Sequence, residues 1–421
     1  MALRDYAAAD QTLRTVLAIT PQRDDVAAQA RQAMSEIELR LRSWMEGGVE
    51  LRHKPGDEGI SKFDAVLLPT SWMYARDYEQ RLVLRADGVT MDAGKLSRSF
   101  DEAALLGTIQ AAGPMATRAY DNDAQSGLSL GAGYLTDTLS ADIGTTPLGF
   151  RLTNIVGGVE WTPAWGPIDV GLGVSRRAVT SSVLSYGGLR DPISGVEWGG
   201  VVQTGPYARF GLYRERYSIS GSLTATELTG TRVPDNTFLG LRMSADWKFF
   251  ARDEARAYVG VTINRWSYDK SLQNYTFGSG GYYSPQSYLS IVVPVELQGA
   301  WRGWSYRLRA ALSHSSSRID RIAFYPNDSD LQSLAAASPL PPGYDEPYFA
   351  ADRNSGSISM SAYGAVERQI SRTLVLGAKL DIDRADYYEP TTFMFYLRRT
   401  LGSLPAPLFV PPRPTRPYSD Y

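Results

Sequence analysis

The amino-acid sequence predicts an all-β transmembrane fold: an outer-membrane β-barrel of about 16 antiparallel strands, preceded by a short α-helical segment. Three observations lead to this prediction. From residue 47 onward, apolar and polar residues alternate with a period of two. Several alternating segments are long enough for a tilted membrane crossing of roughly nine to eleven residues. Short and long connections also follow one another in turn, which is typical of the two ends of an outer-membrane barrel.

The composition is that of a folded protein and excludes several function classes. Hydrophobic residues make up 43% of the 421 residues and charged residues 21%, which argues against disorder. A net charge of -2 argues against a nucleic-acid-binding surface. The absence of cysteine rules out disulfides, thiolate metal sites and cysteine nucleophiles, and it fits an outer-membrane protein. No apolar run reaches the roughly 18 residues of a membrane helix. The N-terminus lacks the features of a signal peptide, so an exported protein would be made as a longer precursor.

The first domain, residues 1–46, is predicted to be helical. Its first helix has the residue spacing of the second helix of a tetratricopeptide repeat, with a closing proline: Tyr6, Ala9, Leu13, Val16 and Pro21. A second helix over 24–45 has one apolar stripe and is expected to be the solvating helix after a last repeat. One repeat cannot bury its own apolar face, so this interpretation implies further repeats upstream. The alternative is a two-helix cap on the β domain.

The second domain, residues 47–400, is predicted to be the barrel. The alternating segments predict strands at 48–54, 62–69, 78–87, 127–135, 138–145, 152–162, 167–178, 198–211, 216–227, 238–250, 254–266, 286–300, 303–316, 356–369, 373–384 and 390–399.

The connections between these strands alternate in length. Tight turns are expected near Asp137, at 162–166, 213–216, 251–254 and 301–304, and near Ser371. The intervening connections include long stretches at 88–126, 179–197, 267–285 and 317–355. A soluble sandwich has no reason to segregate loops in this way, whereas an outer-membrane barrel has short periplasmic turns and long external loops. An even strand number then places the N-terminal helices and the C-terminus on the periplasmic side.

Each strand has one apolar face for lipid and one polar face for a lumen. Leu241, Met243 and Trp247, for example, alternate with Arg242, Ser244 and Asp246. Such charged inner faces suit a wide, water-filled lumen. A girdle of tryptophans is expected beside the short turns: Trp161, Trp165, Trp247, Trp301 and Trp304.

We predict a substrate path along the polar faces. Inward tyrosines among charged and hydroxyl groups suit the apolar C–H faces and polar edges of sugar rings, although the same rings could pack against internal loops or the tail. The predicted lumen-facing residues are Tyr207, Arg209, Arg242, Asp246, Tyr258, Tyr288, Glu296, Arg307, Arg309, Tyr363, Lys379, Asp381 and Tyr396.

The third segment, residues 401–421, is rich in proline and will not continue a strand. It is expected to be extended, either hanging in the periplasm or folding back into the lumen.

The sequence offers no convincing catalytic or metal-binding set. Its two histidines, His53 and His314, lie in predicted strands without partners at metal-site spacing. Asp381 and Asp383 share one face but lie beside Lys379, which favours a solvated lumen wall over a glycosidase pair. Acidic stretches at 121–123 and 327–330 could hold calcium in external loops, although plain turns are the simpler interpretation. We therefore expect no cofactor and no enzymatic activity.

Three stretches resemble one known family. They are "WMEGGVELRHKPGDEGISKFD" (44–64), "VEWTPAWGPIDVGLGVSRRAVTSSVLSYGGLRDP" (159–192) and "YTFGSGGYYSPQSYLSIVVPVEL" (275–297). They are similar to the C-terminal outer-membrane channel region of the bacterial cellulose synthase operon protein C family, and the resemblance extends over essentially the whole chain. Only the last repeat of that family's periplasmic scaffold is present here.

The resemblance implies an outer-membrane porin that exports a nascent cellulose chain and has no catalytic motif. Its expected partners are cellulose, outer-membrane lipid and an upstream periplasmic tetratricopeptide scaffold. Through that scaffold it would reach the inner-membrane cellulose synthase complex, and it could also contact peptidoglycan. The chain would slide through many weak contacts, driven by its own elongation, with 88–126 and 317–355 as candidate gating loops. The alternatives are a channel for another exopolysaccharide, a structural or adhesive barrel, and an outer-membrane hydrolase.

Overall fold

Two helices precede the barrel in the computed structural model, which describes residues 6–19, 24–115, 124–252, 254–385, 389–404 and 410–421. Helix α1 (Tyr6–Ile19) packs on α2 (Asp24–Leu41), and an ion pair of 3.3 Å joins Arg14 to Glu38. Helix α2 ends at Leu41 rather than at the predicted Met45. Trp44 and Met45 already pair with strand residues on both sides, and these ladder hydrogen bonds replace the helical ones.

Sixteen long antiparallel strands form the barrel, as the alternation predicted. They are β1 (Ser43–Lys54), β2 (Phe63–Ala75), β3 (Arg81–Asp92), β4 (Gln125–Leu135), β5 (Leu139–Thr145), β6 (Ile155–Trp161), β7 (Ile168–Ala178), β8 (Glu197–Tyr213), β9 (Tyr217–Thr231), β10 (Val233–Arg252), β11 (Ala255–Tyr268), β12 (Ser287–Trp301), β13 (Trp304–Ile319), β14 (Asp352–Gln369), β15 (Leu374–Arg384) and β16 (Thr391–Leu401). Each pairs with the next, and β1 also pairs with β16, so the ring is closed.

The two ends of the barrel differ as the loop lengths predicted. At the end where α2 enters β1, which we call the helix end, the connections are short, such as 214–216 and 302–303. The opposite end, the loop end, carries long connections such as 93–124 and 320–351.

The connection between β9 and β10 is an exception among the loop-end connections. The sequence predicted a gap between strands 216–227 and 238–250, but both strands continue until only Arg232 separates them. Gly230 pairs with Val233, so Thr231 and Arg232 form a two-residue turn, in which Arg232 adopts the left-handed conformation with φ 55°.

The outer surface of the barrel is an apolar band. Large aliphatic side chains alternate along every long strand and remain exposed, for example Leu241, Ile291 and Leu308, which is the arrangement expected of a lipid-facing surface. The predicted girdle tryptophans also point outward, each with 45–56% of its surface exposed. In the described part of the chain, no helix combines the length and apolarity needed to cross a bilayer.

A plug of folded loops fills the loop end. It contains the short helices α3 (Phe100–Ala103), α4 (Ile109–Ala112) and α5 (Val183–Gly187) and the longer α6 (Ser329–Ala337). One buried cluster joins apolar side chains of these loops to the strand ends, among them Phe63, Leu106, Leu184, Trp198, Val233 and Leu272. Strands β2 and β10, which carry Phe63 and Val233, are eight apart in a ring of sixteen. They therefore face each other, and the cluster crosses the mouth.

Buried polar contacts connect the loops of the plug to one another. Asp191 accepts hydrogen bonds from the backbone N–H and the hydroxyl of Thr108, at 2.6 and 2.7 Å. Ser182 donates to the carbonyl of Gly281 at 2.8 Å, and the backbone N–H of Ala111 donates to the Tyr325 hydroxyl at 3.1 Å. These loops belong to separate hairpins. Because hydrogen bonds connect them, the plug is one packed unit. Both candidate gating loops, 88–126 and 317–355, contribute side chains to this plug in their described parts, and their gating role stays a prediction.

We expect Trp198→Ala to loosen the plug. Trp198 is fully buried and its ring packs 5.5 Å from that of Phe277, so truncation removes packing worth about 3–5 kcal/mol. Ionic current through the purified chain in planar bilayers should rise, because the mouth opens more often. Trp301→Ala, on the lipid-facing surface, is the matched control and should leave the current unchanged. Equal currents from both variants would contradict a closing role for the plug.

Candidate functional site

The C-terminal tail, described here for residues 410–421, folds back into the lumen. Of the two arrangements considered from the sequence, the structure has this one. At the helix end, Leu404 and Val410 lie in a buried cluster with Leu39 of α2 and Val375 of β15. The tail is thus held between the last helix and the barrel wall before it enters the pore.

The tail next meets a charged site on β14 and β16. The backbone N–H of Arg413 donates to the buried Glu367 carboxylate at 2.8 Å, and the Arg398 guanidinium donates to the Arg413 carbonyl. Arg398 also pairs with Glu367 at 3.5 Å and with Glu46 at 3.1 Å. These contacts compensate buried charges that would otherwise be costly inside the barrel.

Tyr418 fills a slot on the inner face of β3 to β5. Its hydroxyl donates to Asp142 at 2.7 Å and its backbone N–H donates to Asp87 at 2.5 Å. Gly131 and Gly144 form the floor: a Cβ at Gly131 would lie 3.1 Å from the ring, and one at Gly144 would overlap it. The slot therefore exists because these two strands carry glycine on their inner faces.

Burial raises the pKa of the Tyr418 phenol, and the adjacent Asp142 carboxylate raises it further. The phenol therefore stays protonated across the physiological range and keeps donating to Asp142.

The last residues connect the tail to the plug. Asp420 pairs with Arg52 at 2.6 Å, and the Arg85 guanidinium lies 3.9 Å from the centre of the Tyr421 ring. The Ser419 side chain hydrogen-bonds to Tyr186 of α5, whose pKa is raised by burial in the plug. The tail therefore runs from the helix end to the underside of the plug.

The predicted lumen-facing residues all lie on the inner face, next in sequence to exposed outward residues. One group lies on β10 to β13. Arg307 forms a two-point ion pair with Glu296, at 2.9 and 3.0 Å. Tyr258 accepts a hydrogen bond from Gln298 at 3.1 Å. Arg242, Asp246 and Arg309 interact electrostatically within the same group.

The other predicted residues are distributed around the wall. Arg209 forms a two-point ion pair with Glu160, and Tyr207 also hydrogen-bonds to that carboxylate. Lys379 pairs with the buried Glu50 at 2.8 Å. Tyr288 stacks on Trp266 of the next strand.

The remaining three predicted residues, Tyr363, Asp381 and Tyr396, lie on β14 to β16. Tyr363 interacts electrostatically with Arg307, Asp381 and Arg416 of the tail. Tyr396 is buried, with its hydroxyl donating to Glu367 at 2.9 Å. The role of all thirteen residues as a substrate path stays a prediction.

Sequence reasoning missed five carboxylates that organise the wall: the buried Glu50, Asp87 and Glu367 and the half-buried Asp142 and Glu160. Their inward position follows from the same alternation that located their basic partners, so this signal was available. The sequence could not show that these carboxylates are important, because their partners come from distant strands and from the tail.

The candidate catalytic and metal-binding residues that the structure describes make ordinary structural contacts. His53 contacts Asp64 at 2.5 Å on an exposed strand end. In the described ranges, no three His, Asp or Glu side chains are grouped to hold a metal ion. Asp328 in the stretch 327–330 accepts hydrogen bonds from the backbone of Asp330 and Leu331, so it caps α6. The stretch 121–123 lies outside the described residues.

Known proteins resemble this chain in sequence and in fold. Residues 61–402 match the family model "Cellulose synthase operon protein C C-terminus". The Cellulose synthase operon protein C of Escherichia coli (strain K12) is 30% identical over 407 residues, covering 95% of this chain and 33% of the relative. The corresponding Salmonella typhimurium protein is 32% identical over 353 residues, covering 81% of this chain and 29% of the relative. The chain thus spans about a third of these relatives. A solved "Bacterial polysaccharide outer membrane secretin" aligns with a TM-score of 0.51 at 10% identity, over 85% of this chain and 98% of that one, which concerns the fold alone.

A closed sixteen-stranded antiparallel ring with an apolar exterior and a polar lumen defines an outer-membrane β-barrel. The match over residues 61–402 assigns the chain more closely. It belongs to the cellulose synthase operon protein C family.

We expect Tyr418→Ala to release the tail, because it removes the ring and its hydrogen bond to Asp142 and so costs about 3 kcal/mol or more. Carboxypeptidase is too large to act inside the lumen and can trim only a tail that has left it. Intact-mass spectrometry should show trimming of the variant toward residue 410, whereas the parental chain should keep its full mass. Tyr421→Ala, which removes a half-exposed ring, should trim like the parent. Identical trimming in all three chains would show that the slot does not hold the tail.

Proposed function

We propose that this chain forms the outer-membrane passage through which a nascent cellulose (β-1,4-glucan) chain leaves the periplasm. The observation that carries the proposal is the polar wall of β9 to β13, within a barrel of the cellulose synthase operon protein C family. A neutral polyhydroxylated chain can exchange hydrogen bonds along such a wall without a deep binding site.

This wall is rich in hydroxyl groups and paired charges. On β9 the inward residues Ser218, Ser220, Ser222 and Thr224 alternate with lipid-facing residues such as Leu223. On β10 and β11, Ser244 and Thr262 hydrogen-bond at 2.9 Å, and the Glu296–Arg307 pair follows on β12 and β13. Paired charges hold a moving sugar less strongly than isolated ones, because each already has a partner.

The tail supports a route along this wall rather than around the whole lumen. The hydrogen bonds and ion pairs of its described residues go to β1, β3, β5, β7, β14 and β16 and to the plug helix α5. The face from β9 to β13 lies across the lumen from β1 to β5. We therefore place the glycan on β9 to β13 and treat the plug as the gate.

The proposed orientation follows from the loop lengths. Short turns face the periplasm and long loops face the exterior in bacterial barrels, so the helix end would be periplasmic. Helices α1 and α2 would then continue an upstream tetratricopeptide scaffold toward the inner-membrane synthase complex and peptidoglycan. The outer band would contact lipid. The proposal includes no catalytic step, since elongation at the inner membrane would drive transport.

The test uses two adjacent positions on opposite faces of β9. This chain has no cysteine, so Thr224→Cys and Leu223→Cys each supply the one thiol of the barrel, the first inward and the second toward lipid, in a full-length protein whose cysteines outside this chain, where present, are replaced by serine. Both are installed in the full-length protein of a cellulose-producing host and labelled with a bulky maleimide. We expect extracellular cellulose to fall severalfold after labelling at 224 and to be unchanged after labelling at 223.

Mass spectrometry confirms labelling at both positions. Undiminished export with position 224 fully labelled would exclude this lumen as the route and favour a structural or adhesive barrel. If a non-cellulose polysaccharide is the material lost, the chain is a channel for another exopolysaccharide.

A further inference from the structure

Two stacked aromatic rings lie on the inner wall just below the plug. Trp266 of β11 and Tyr288 of β12 are partners in the strand register, and their ring centres are 3.9 Å apart at an angle of 12°. Tyr283 approaches Tyr288 edge-on, with 6.4 Å between centres. The neighbouring Ile263 and Leu289 point to the lipid side and are exposed, so the alternation directs the pair into the lumen.

This pair is distinct from the hydrophobic core of the plug. Phe238, Tyr268 and Tyr282, one step closer to the loop end, belong to that core or pack against it. Trp266 and Tyr288 do neither and are only half-buried. They therefore present aromatic surface to a polar lumen, where such surface is stabilised by an apolar partner.

Uncharged polar groups lie beside the rings on the same strands. Asn264 donates to the Ser290 hydroxyl at 3.1 Å, and Arg242 donates to the Asn264 side-chain oxygen at 3.3 Å. Asn264 and Ser290 are two residues from Trp266 and Tyr288, which is about 7 Å along a strand. One sugar unit can therefore touch the rings with its face and the half-buried Asn264 amide with its edge, while the buried Ser290 hydroxyl orients that amide.

We propose that Trp266 and Tyr288 form a sugar-stacking subsite for a pyranose unit of the β-1,4-glucan, at the last position below the plug. This inference rests on the proposed function and adds a residue that sequence reasoning did not select, Trp266. The equatorial hydroxyls of β-glucose leave both ring faces as C–H surfaces, which pack on an aromatic face. Trp266, Tyr288, Asn264 and Ser290 are uncharged, which suits a neutral glycan.

The test measures binding of cellohexaose to the purified chain in detergent by titration calorimetry. The ligand enters through the helix end. We expect Trp266→Ala and Tyr288→Ala to weaken binding about fivefold or more, as for loss of one aromatic contact, and Trp266→Phe to retain most of the affinity. Trp247→Ala, a lipid-facing tryptophan on the adjacent strand, is the matched control and should bind like the parent. Heat-dependent gel mobility verifies that each barrel is folded.

Either of two other outcomes would contradict the proposed sugar-stacking subsite. If every folded variant binds cellohexaose as the parent does, the glucan binds elsewhere in the lumen. If the parent binds no cellohexaose, the subsite is wrong even where the cysteine experiment shows that cellulose passes through the lumen. The proposed function is tested separately by the cysteine experiment. It is contradicted if a bulky label at position 224 leaves cellulose export unchanged.

Discussion

The structure depends on the hydrogen bonds that close β16 onto β1. In a bilayer no water can satisfy a free strand edge, so an open sixteen-stranded sheet would leave a row of unpaired backbone groups in hydrocarbon. The pairing of Ser43–His53 with Thr391–Leu401 removes that edge. It also fixes the alternation of faces, because a shift of one residue in register would turn charged side chains toward lipid. The apolar exterior, the polar lumen and the segregation of loops to two ends all follow from this closure.

Closure creates a second problem, since the lumen then encloses many ionisable side chains. The wall solves it with cross-strand pairs such as Glu296–Arg307 and Glu160–Arg209. Where Glu367 and Arg398 become buried, the tail backbone supplies further donors and acceptors. The tail is therefore part of the folded interior. A chain whose last strand ended at Leu401 would expose the Tyr418 slot and leave Asp87 and Asp142 without these partners.

The sequence carried enough information for the sixteen strands, because alternation is a local signal repeated in every strand. The sequence also located the inward residues, since alternate positions along a strand lie on the same face. It could not place the tail: proline excludes a strand but does not select between periplasm and lumen, and the glycines of the Tyr418 slot look like any strand glycines. The residues between 227 and 238 were predicted as a connection, whereas in the folded chain both strands continue through them, with Asn236 opposite Leu228 and a register irregularity before the turn. The plug was also hidden, since its core joins residues as distant as Phe63 and Val233.

The two sides of the lumen differ in the strength of the contacts that they make. The side that holds the tail concentrates strong, specific contacts: a ring in a fitted slot, buried ion pairs and a backbone held by Glu367. The side from β9 to β13 offers weak contacts distributed along the wall. They come from hydroxyls, from charges that are already paired and from one half-buried aromatic pair. A conduit must bind its cargo weakly enough at each position for the next contact to replace it. Strong contacts on β9 to β13 would stop a polymer. Weak contacts on the tail side would let the C-terminal tail move into the proposed glycan path. Under the proposed function, this division of the wall is what would let the same barrel hold one chain and pass another.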